Sequence, residues 1–180
     1  VNAKTEAVCA IDSKGTKTSM STPKIGISAG TYYIRVTKGS EHNSADYTIK
    51  AKFKKAKNWE KEYSDSTKKN NNSMGTANVI SAKKAVNGCL SDANDVDFYK
   101  VKIGSTKNVA IKLSHKYIAT KRSYWTVTVY NSKLKQVCTF KSRGIDKNAV
   151  KRVNLKKGTY FVKVSCGKKW RKDNYKLTVG

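Results

Sequence analysis

The sequence has few acids, few histidines and no long apolar run. It holds 12 Asp and Glu against 38 Lys and Arg, with two His, His42 and His115, and four Cys. With so few His, and with no GxSxG, HExxH, paired carboxylates or Gly-rich phosphate loop, the usual constellations of hydrolases, metalloproteases and nucleotide enzymes are missing. A Cys–His nucleophile would need a cysteine in a recognisable setting, and none is found. Catalysis is not expected. Cys9, Cys89, Cys138 and Cys166 form no CxxC, so no zinc-type spacing is present. In an exported protein they would bridge, with Cys89–Cys166 the favoured pair, or they serve as small apolar residues. No stretch approaches the ~20 apolar residues of a membrane span, so membrane insertion is not expected. The chain opens at Val1 with no signal-peptide pattern and reads as a mature or excised piece.

What is abundant is positive charge. The formal net charge is +26. Residues 98–180 carry 22 basic residues and two acids, Asp146 and Asp173. Such a field attracts polyanions with steep salt dependence; equally, it keeps an exported surface solvated. Nucleic acid is not expected as the physiological partner. The remaining acids gather mainly in Glu60–Asp65 and Asp92–Asp97.

An internal repeat fixes the organisation. GTYYIRVTKG (30–39) returns as GTYFVKVSCG (158–167), 128 positions later. DYTIKAKF (46–53) returns as NYKLTVG (174–180), AVCAIDSKG (7–15) as QVCTFKSRG (136–144), and PKIGISAGT (23–31) as KRVNLKKGT (151–159). Within each copy apolar residues alternate with polar ones: Tyr160, Val162 and Val164 face one way, and Phe161, Lys163 and Ser165 the other. The same holds for VKI (101–103), VAIKL (109–113) and YWTVTVY (124–130). A period of two with Gly, Asn, Asp and Ser turns predicts half-buried antiparallel strands. No segment has a helical period.

The fold expected is all-β: a jelly-roll-like antiparallel β-sandwich, one complete repeat preceded by the C-terminal half of another. Residues 1–57 hold that half, 58–75 a polar connector, and 76–180 the complete unit. The front strands of the second unit, 79–90, 97–103, 108–113 and 123–130, have no counterpart in the first. A half-sandwich leaves an apolar face and open edges. Its missing strands come from a longer tandem chain or from a second chain in a strand-exchanged homo-oligomer.

Candidate contact residues follow from the alternation. If Tyr160 faces inward, Phe161 and Phe98 face outward beside Lys100, Lys102 and Lys163, and Tyr124 opposes Trp125 across its strand. Exposed aromatics beside Lys or Arg stack on sugars or grip polyanionic chains, unless a neighbouring layer covers them. Trp170 lies in a turn with Lys168, Lys169, Arg171 and Lys172. The matching loop of the first copy, 39–46, has neither the Trp nor the charge. In SDANDVDFY (91–99), Asp92, Asn94, Asp95 and Asp97 place hard oxygens at close spacing, which suits Ca²⁺. The alternative is a turn in which Asp side chains accept backbone N–H bonds.

The order of segments resembles the bacterial pre-peptidase C-terminal domain family. The residues that carry the resemblance are Ala77–Ile80 with Gly88, Asp95–Tyr99, Gly158–Val164 and Tyr175–Val179. It covers nearly all of 76–180 and the back half of the unit within 7–53. The resemblance implies a secreted or cell-surface bacterial protein. Relatives accompany exported enzymes, and some, the collagen-binding domains of clostridial collagenases, bind collagen and take up calcium near an N-terminal linker. That adds Glu60, Glu62 and Asp65, in WEKEYSD (59–65), as metal candidates. The expected function is a non-catalytic binding or targeting module contacting an extracellular polymer: a glycan, a collagen-like protein or the cell wall. The alternatives are a structural spacer and an electrostatic binder of anionic polymers.

Overall fold

The two-residue alternation of the second unit becomes nine strands among the described residues: β1 Asn78–Ile80, β2 Val86–Gly88, β3 Val96–Ile103, β4 Lys107–His115, β5 Ser123–Asn131, β6 Gln136–Arg143, β7 Asn148–Leu155, β8 Gly158–Cys166 and β9 Tyr175–Val179. The structure is a computed structural model, and it describes residues 10–13, 19–22, 26–27, 30–41, 44–55, 57–62 and 70–180. Among these the one helical turn is the 3-10 turn Met74–Thr76.

The strands form two packed sheets, ordered β1-β3-β8-β5-β6 and β2-β9-β4-β7. All ladders are antiparallel except β1–β3, which is parallel. The inward residues are those the alternation selects. Tyr99, Val101 and Ile103 of β3, Trp125, Val127 and Val129 of β5, and Tyr160, Val162 and Val164 of β8 meet Ile111, Leu113, Tyr175, Leu177 and Val179 of the other sheet in one core. Each fully buried Val, Leu or Ile there contributes about 1.5–3 kcal/mol by leaving water. His115 stacks on the buried Trp125 with ring centroids 4.3 Å apart, and its Nε2 lies 3.0 Å from Ser142 Oγ. In the β5–β6 turn Leu134 has φ 62, and Asn131 Oδ1 accepts from the backbone N–H of Lys133 and of Lys135 at 2.9 and 3.0 Å.

Two findings differ from the sequence reading. Cys89, Cys138 and Cys166 are free thiols, so the expected Cys89–Cys166 bridge is not formed. Cys89 is buried behind β2, where loss of water pushes its thiol up to about 12, and Cys166 ends β8 in the opposite sheet. Cys9 lies outside the described residues. Part of the polar connector, 58–75, docks on the sandwich. Trp59 bridges Asn87 in parallel, Asn87 N–H donates to Asn58 O at 2.8 Å, and Glu60 N–H donates to Asn87 O at 2.9 Å. Residues 58–60 thus extend the open edge of β2. On the other sheet, Phe98 N–H donates to Asn71 O at 2.8 Å. The second difference is that the described stretches within 30–55, where strands of the first copy were expected, form no strand, a lone bridge residue at Tyr32 apart.

Candidate metal centre and outer sheet face

Docking the connector carries acids into the domain. Glu60 and Glu62 on it, and Asp95 and Asp97 at the start of β3, are all buried, Asp97 completely. These are four of the chain's 12 acids. Single carboxylate oxygens of Glu62, Asp95 and Asp97 lie within 4.8 Å of one another. Among the described residues the ion pairs Arg143–Asp146 and Arg171–Asp173 lie elsewhere. Carboxylates buried in this way cost several kcal/mol each, by order of magnitude, if ionised without compensation.

Neutral donors compensate part of the cluster. Glu60 Oε1 accepts from Cys89 N–H at 2.6 Å. Glu60 Oε2 accepts from the Tyr99 hydroxyl. The Tyr175 hydroxyl gives its one hydrogen to Asp97 Oδ2, and its oxygen lies 2.6 Å from the Tyr99 hydroxyl and 3.3 Å from Glu60 Oε2. Asp95 Oδ2 accepts from Ser91 N–H at 2.6 Å. Gly88 is required beside them, because a Cβ there would meet the Tyr175 ring and hydroxyl and Glu60 Oε2 at 2.4–2.5 Å. Burial raises the Glu60 carboxyl to about 7, opposed by its Tyr99 and Cys89 hydrogen bonds. Asp97 is raised well above the carboxylate range by burial and then by the Glu60 and Asp95 charges. Burial also raises Asp95.

Two polar atoms are left facing into this cluster of oxygens. Asp95 Oδ1 is buried with no hydrogen-bond partner. The Asn71 amide oxygen faces Glu62 Oε2 at 2.5 Å and Asp97 Oδ1 at 3.2 Å, acceptor against acceptor, while its Nδ2 donates to Glu60 Oε2 at 3.4 Å. Turning the amide over replaces those contacts with two hydrogen bonds. With the amide turned, Asp95 Oδ1 is left as the buried acceptor without a partner. Three carboxylates are hard donors of the type Ca²⁺ takes, so their chemistry suits the ion, which would need further oxygens to complete its shell.

The two acidic segments read separately from sequence therefore meet in one place. Asp92 stays outside: its Oδ1 accepts from Asn94 N–H at 2.7 Å and Asp95 N–H at 3.1 Å, the turn role. Asp65 lies outside the described residues. Asn71, Tyr99 and Tyr175 were not foreseen. The signal for the tyrosines was their inward register, since a buried hydroxyl needs a partner; Asn71 was hidden in an Asn run.

The outer face of the five-stranded sheet carries the predicted aromatics. On β3, β8 and β5, Lys100, Phe161 and Tyr130 lie in one row and Phe98, Lys163 and Thr128 in the next. Lys100 Nζ is 5.9 Å from the Phe161 centroid and Lys163 Nζ 5.9 Å from that of Phe98. The result is a checkerboard of rings and ammonium groups. Lys100 and Lys102 are exposed and Phe161, Lys163 and Tyr130 partly so, while Phe98 is buried.

The 167–174 loop is stitched to the end of this face. Gly167 and Lys168 N–H donate to Tyr124 O and Ser123 O, both at 2.9 Å. Arg171 lies 5.5 Å from the Tyr124 centroid and pairs with Asp173. Tyr124 does not oppose Trp125 in the open: beside the irregularity between Ser123 and Trp125 it is buried in the core cluster, its ring edge-on to that of Trp125 with centroids 6.0 Å apart and Arg171 against it. Trp170 packs against the core, and its Nε1–H donates to Leu90 O at 3.1 Å. Lys168 and Lys169 are exposed.

No family model and no curated protein matches the chain. Among solved structures it is similar to a family 35 carbohydrate-binding module from an environmental isolate, at 15% identity and TM-score 0.40, over 58% of this chain and 82% of that one. It is similar to the lectin domain of lectinolysin, solved with Lewis B antigen, at 19% identity and TM-score 0.30, over 53% of this chain and 68% of the other. It also resembles the pre-peptidase C-terminal domain of collagenase from Bacillus anthracis, at 21% identity and TM-score 0.48, over 58% of this chain and 94% of that domain.

Proposed function

We propose that this chain is a non-catalytic binding module of an exported protein, holding an extracellular polymer on the outer face of its five-stranded sheet. The observation that carries the reading is the checkerboard of Phe161, Tyr130, Lys100 and Lys163. A partly open ring offers a stacking platform for a sugar face, and the ammonium groups beside it offer contacts to acidic substituents. A glycan bearing carboxylate or sulfate groups presents both chemistries along its length. The exposed Lys168 and Lys169, with Arg171, continue the positive charge along one end of the face. Ca²⁺ belongs to the frame and not to the contact: Glu62, Asp95 and Asp97 would hold it, with Glu60, Tyr99 and Tyr175 orienting the set. The ion would tie the connector at Glu62 to β3 at Asp95 and Asp97.

The test is retention on immobilised sulfated and uronic glycans, with neutral glycan and collagen columns as comparators. Phe161→Ala and Lys100→Ala should each weaken retention on the acidic glycans while shifting the melting temperature by less than a few degrees. Equal retention of both variants and the parent would exclude this face, and no retention on any column would favour a spacer.

A further inference from the structure

In the sandwich, β8 lies between β3 and β5, β9 lies between β2 and β4, β6 pairs with β5, and β7 pairs with β4. None of the ladders joins two strands of the back half, β6–β9, and β1–β3 alone joins two of the front half, β1–β5. The halves interleave strand by strand, so neither can build a sheet of its own. The first copy of the repeat has counterparts of β6–β9 and of no front strand. Every ladder that those counterparts use in the second unit needs a strand the first copy does not hold.

The side chains show the consequence. Ile34 is 63% exposed where its counterpart Val162 is 0%, Tyr47 is 68% where Tyr175 is 1%, and Ile49 is 47% where Leu177 is 0%. Val36 and Phe53 are exposed as well. The repeat itself specifies what would cover them: strands of the β3 and β5 type on either side of GTYYIRV, and of the β2 and β4 type on either side of DYTIKA. Residues 1–180 hold one front half and two back halves, so strand exchange among copies of this segment alone leaves one back half uncovered.

We propose that residues 30–41 and 44–53 form an interaction surface for the front half of another repeat of this type, five strands with the pattern of Asn78–Asn131. The insertion completes a second sandwich around Ile34, Val36, Tyr47, Ile49 and Ala51, and it converts a polar-edged apolar segment into buried central strands. The binding is backbone pairing with apolar side chains setting the register, as in strand addition, but on both edges of each strand.

Hydrogen exchange read by mass spectrometry tests this in two arms. In the first, a second copy of residues 76–135 is joined ahead of Val1 by a flexible linker. Exchange over 30–41 and 44–55 should slow by ~100-fold or more, and adding Ile34→Lys with Ile49→Lys should return it to the fast rate without altering 86–179. In the second, Val162→Lys with Leu177→Lys in the unextended 180-residue chain disables its own back half. The single front half should then pass to the first copy, protecting 30–55. Fast exchange of 30–55 in both arms overturns the proposal, as does gained protection that survives the Ile34→Lys, Ile49→Lys pair. Slow exchange of these segments in the unaltered chain, monomeric or dimeric by light scattering, overturns it too.

Discussion

Asp97 shows what a single buried acid does to this domain. It is fully enclosed, accepts from Tyr175, and lies against the Asn71 side-chain amide. Asp97→Asn removes one negative charge from the cluster and replaces a ligand oxygen by an amide. In the metal-free protein at pH 8 the variant should melt no lower than the parent, and the Ca²⁺-induced rise of the parent should be lost. Differential scanning calorimetry with and without Ca²⁺ checks both; an unchanged Ca²⁺ response in the variant would exclude Asp97 as a ligand. Glu60 gives a pH signature. Its folded-state value is raised from 4.5 to about 7, so the folded state holds the proton more tightly than the unfolded chain does. Stability from this group is full below about 4.5, declines as pH rises, and is gone by about 7, a loss on the order of 3 kcal/mol for the metal-free protein. The raised Asp95 and Asp97 act in the same direction. Because Ca²⁺ needs the ionised carboxylates, its stabilising effect should grow over the same window. Urea titrations from pH 4.5 to 8 with EDTA should show the decline, and a flat metal-free profile would contradict it.

At the level of elements, strands were easy to read and their attachments were not. β4 and β8 alternate along their length, and β3 alternates from Tyr99 to Ile103, while Phe98 in β3 and Tyr124 and Thr128 in β5 are buried out of step. The outward setting of Phe161, Lys100 and Lys163 followed directly. The connector carries no such pattern: residues 58–60 join β2 through backbone bonds, which any sequence can make. The meeting of Glu62 with Asp95 and Asp97 depended on that docking, so the separate acidic segments could not be joined from sequence. Asn71 follows the same logic. Trp170 was read as a contact residue from its place among basic neighbours. Alternation lapses in a loop, so the sequence could not show that its partly exposed indole also packs on the core and bonds Leu90. Trp170→Ala should therefore lower stability by roughly 2–4 kcal/mol, toward the lower end of buried aromatic truncations because the ring is partly exposed. Trp170→Phe should cost only about 1 kcal/mol, the lost hydrogen bond to Leu90. Chemical denaturation distinguishes this from a ligand-contact role, in which both variants would unfold like the parent.

Across the whole molecule, the placement of charge separates the frame from the contact surface. The net charge is +26, and four of the 12 acids are enclosed with β2, β3 and the connector. The exposed surface is accordingly more one-sided than the composition suggests. Cations bound among enclosed carboxylates hardly alter a field dominated by surface lysines, because screening in ~0.15 M salt limits its reach to about 8 Å. Metal and polymer should therefore act on different observables. Ca²⁺ at a hundredfold excess over its Kd adds about 2.7 kcal/mol to the folded state, a rise of roughly 10 °C or more for a domain of this size. It should leave retention on an acidic glycan unchanged at temperatures well below melting. Raising the salt should do the reverse, eluting the protein steeply while leaving the Ca²⁺-dependent part of the melting temperature nearly intact. Calorimetry and affinity chromatography on one preparation, with Ca²⁺ and NaCl varied independently, would resolve the two effects. If retention instead required Ca²⁺ at low temperature, the ion would have to bridge to the polymer, and the enclosed cluster would be open to it in solution.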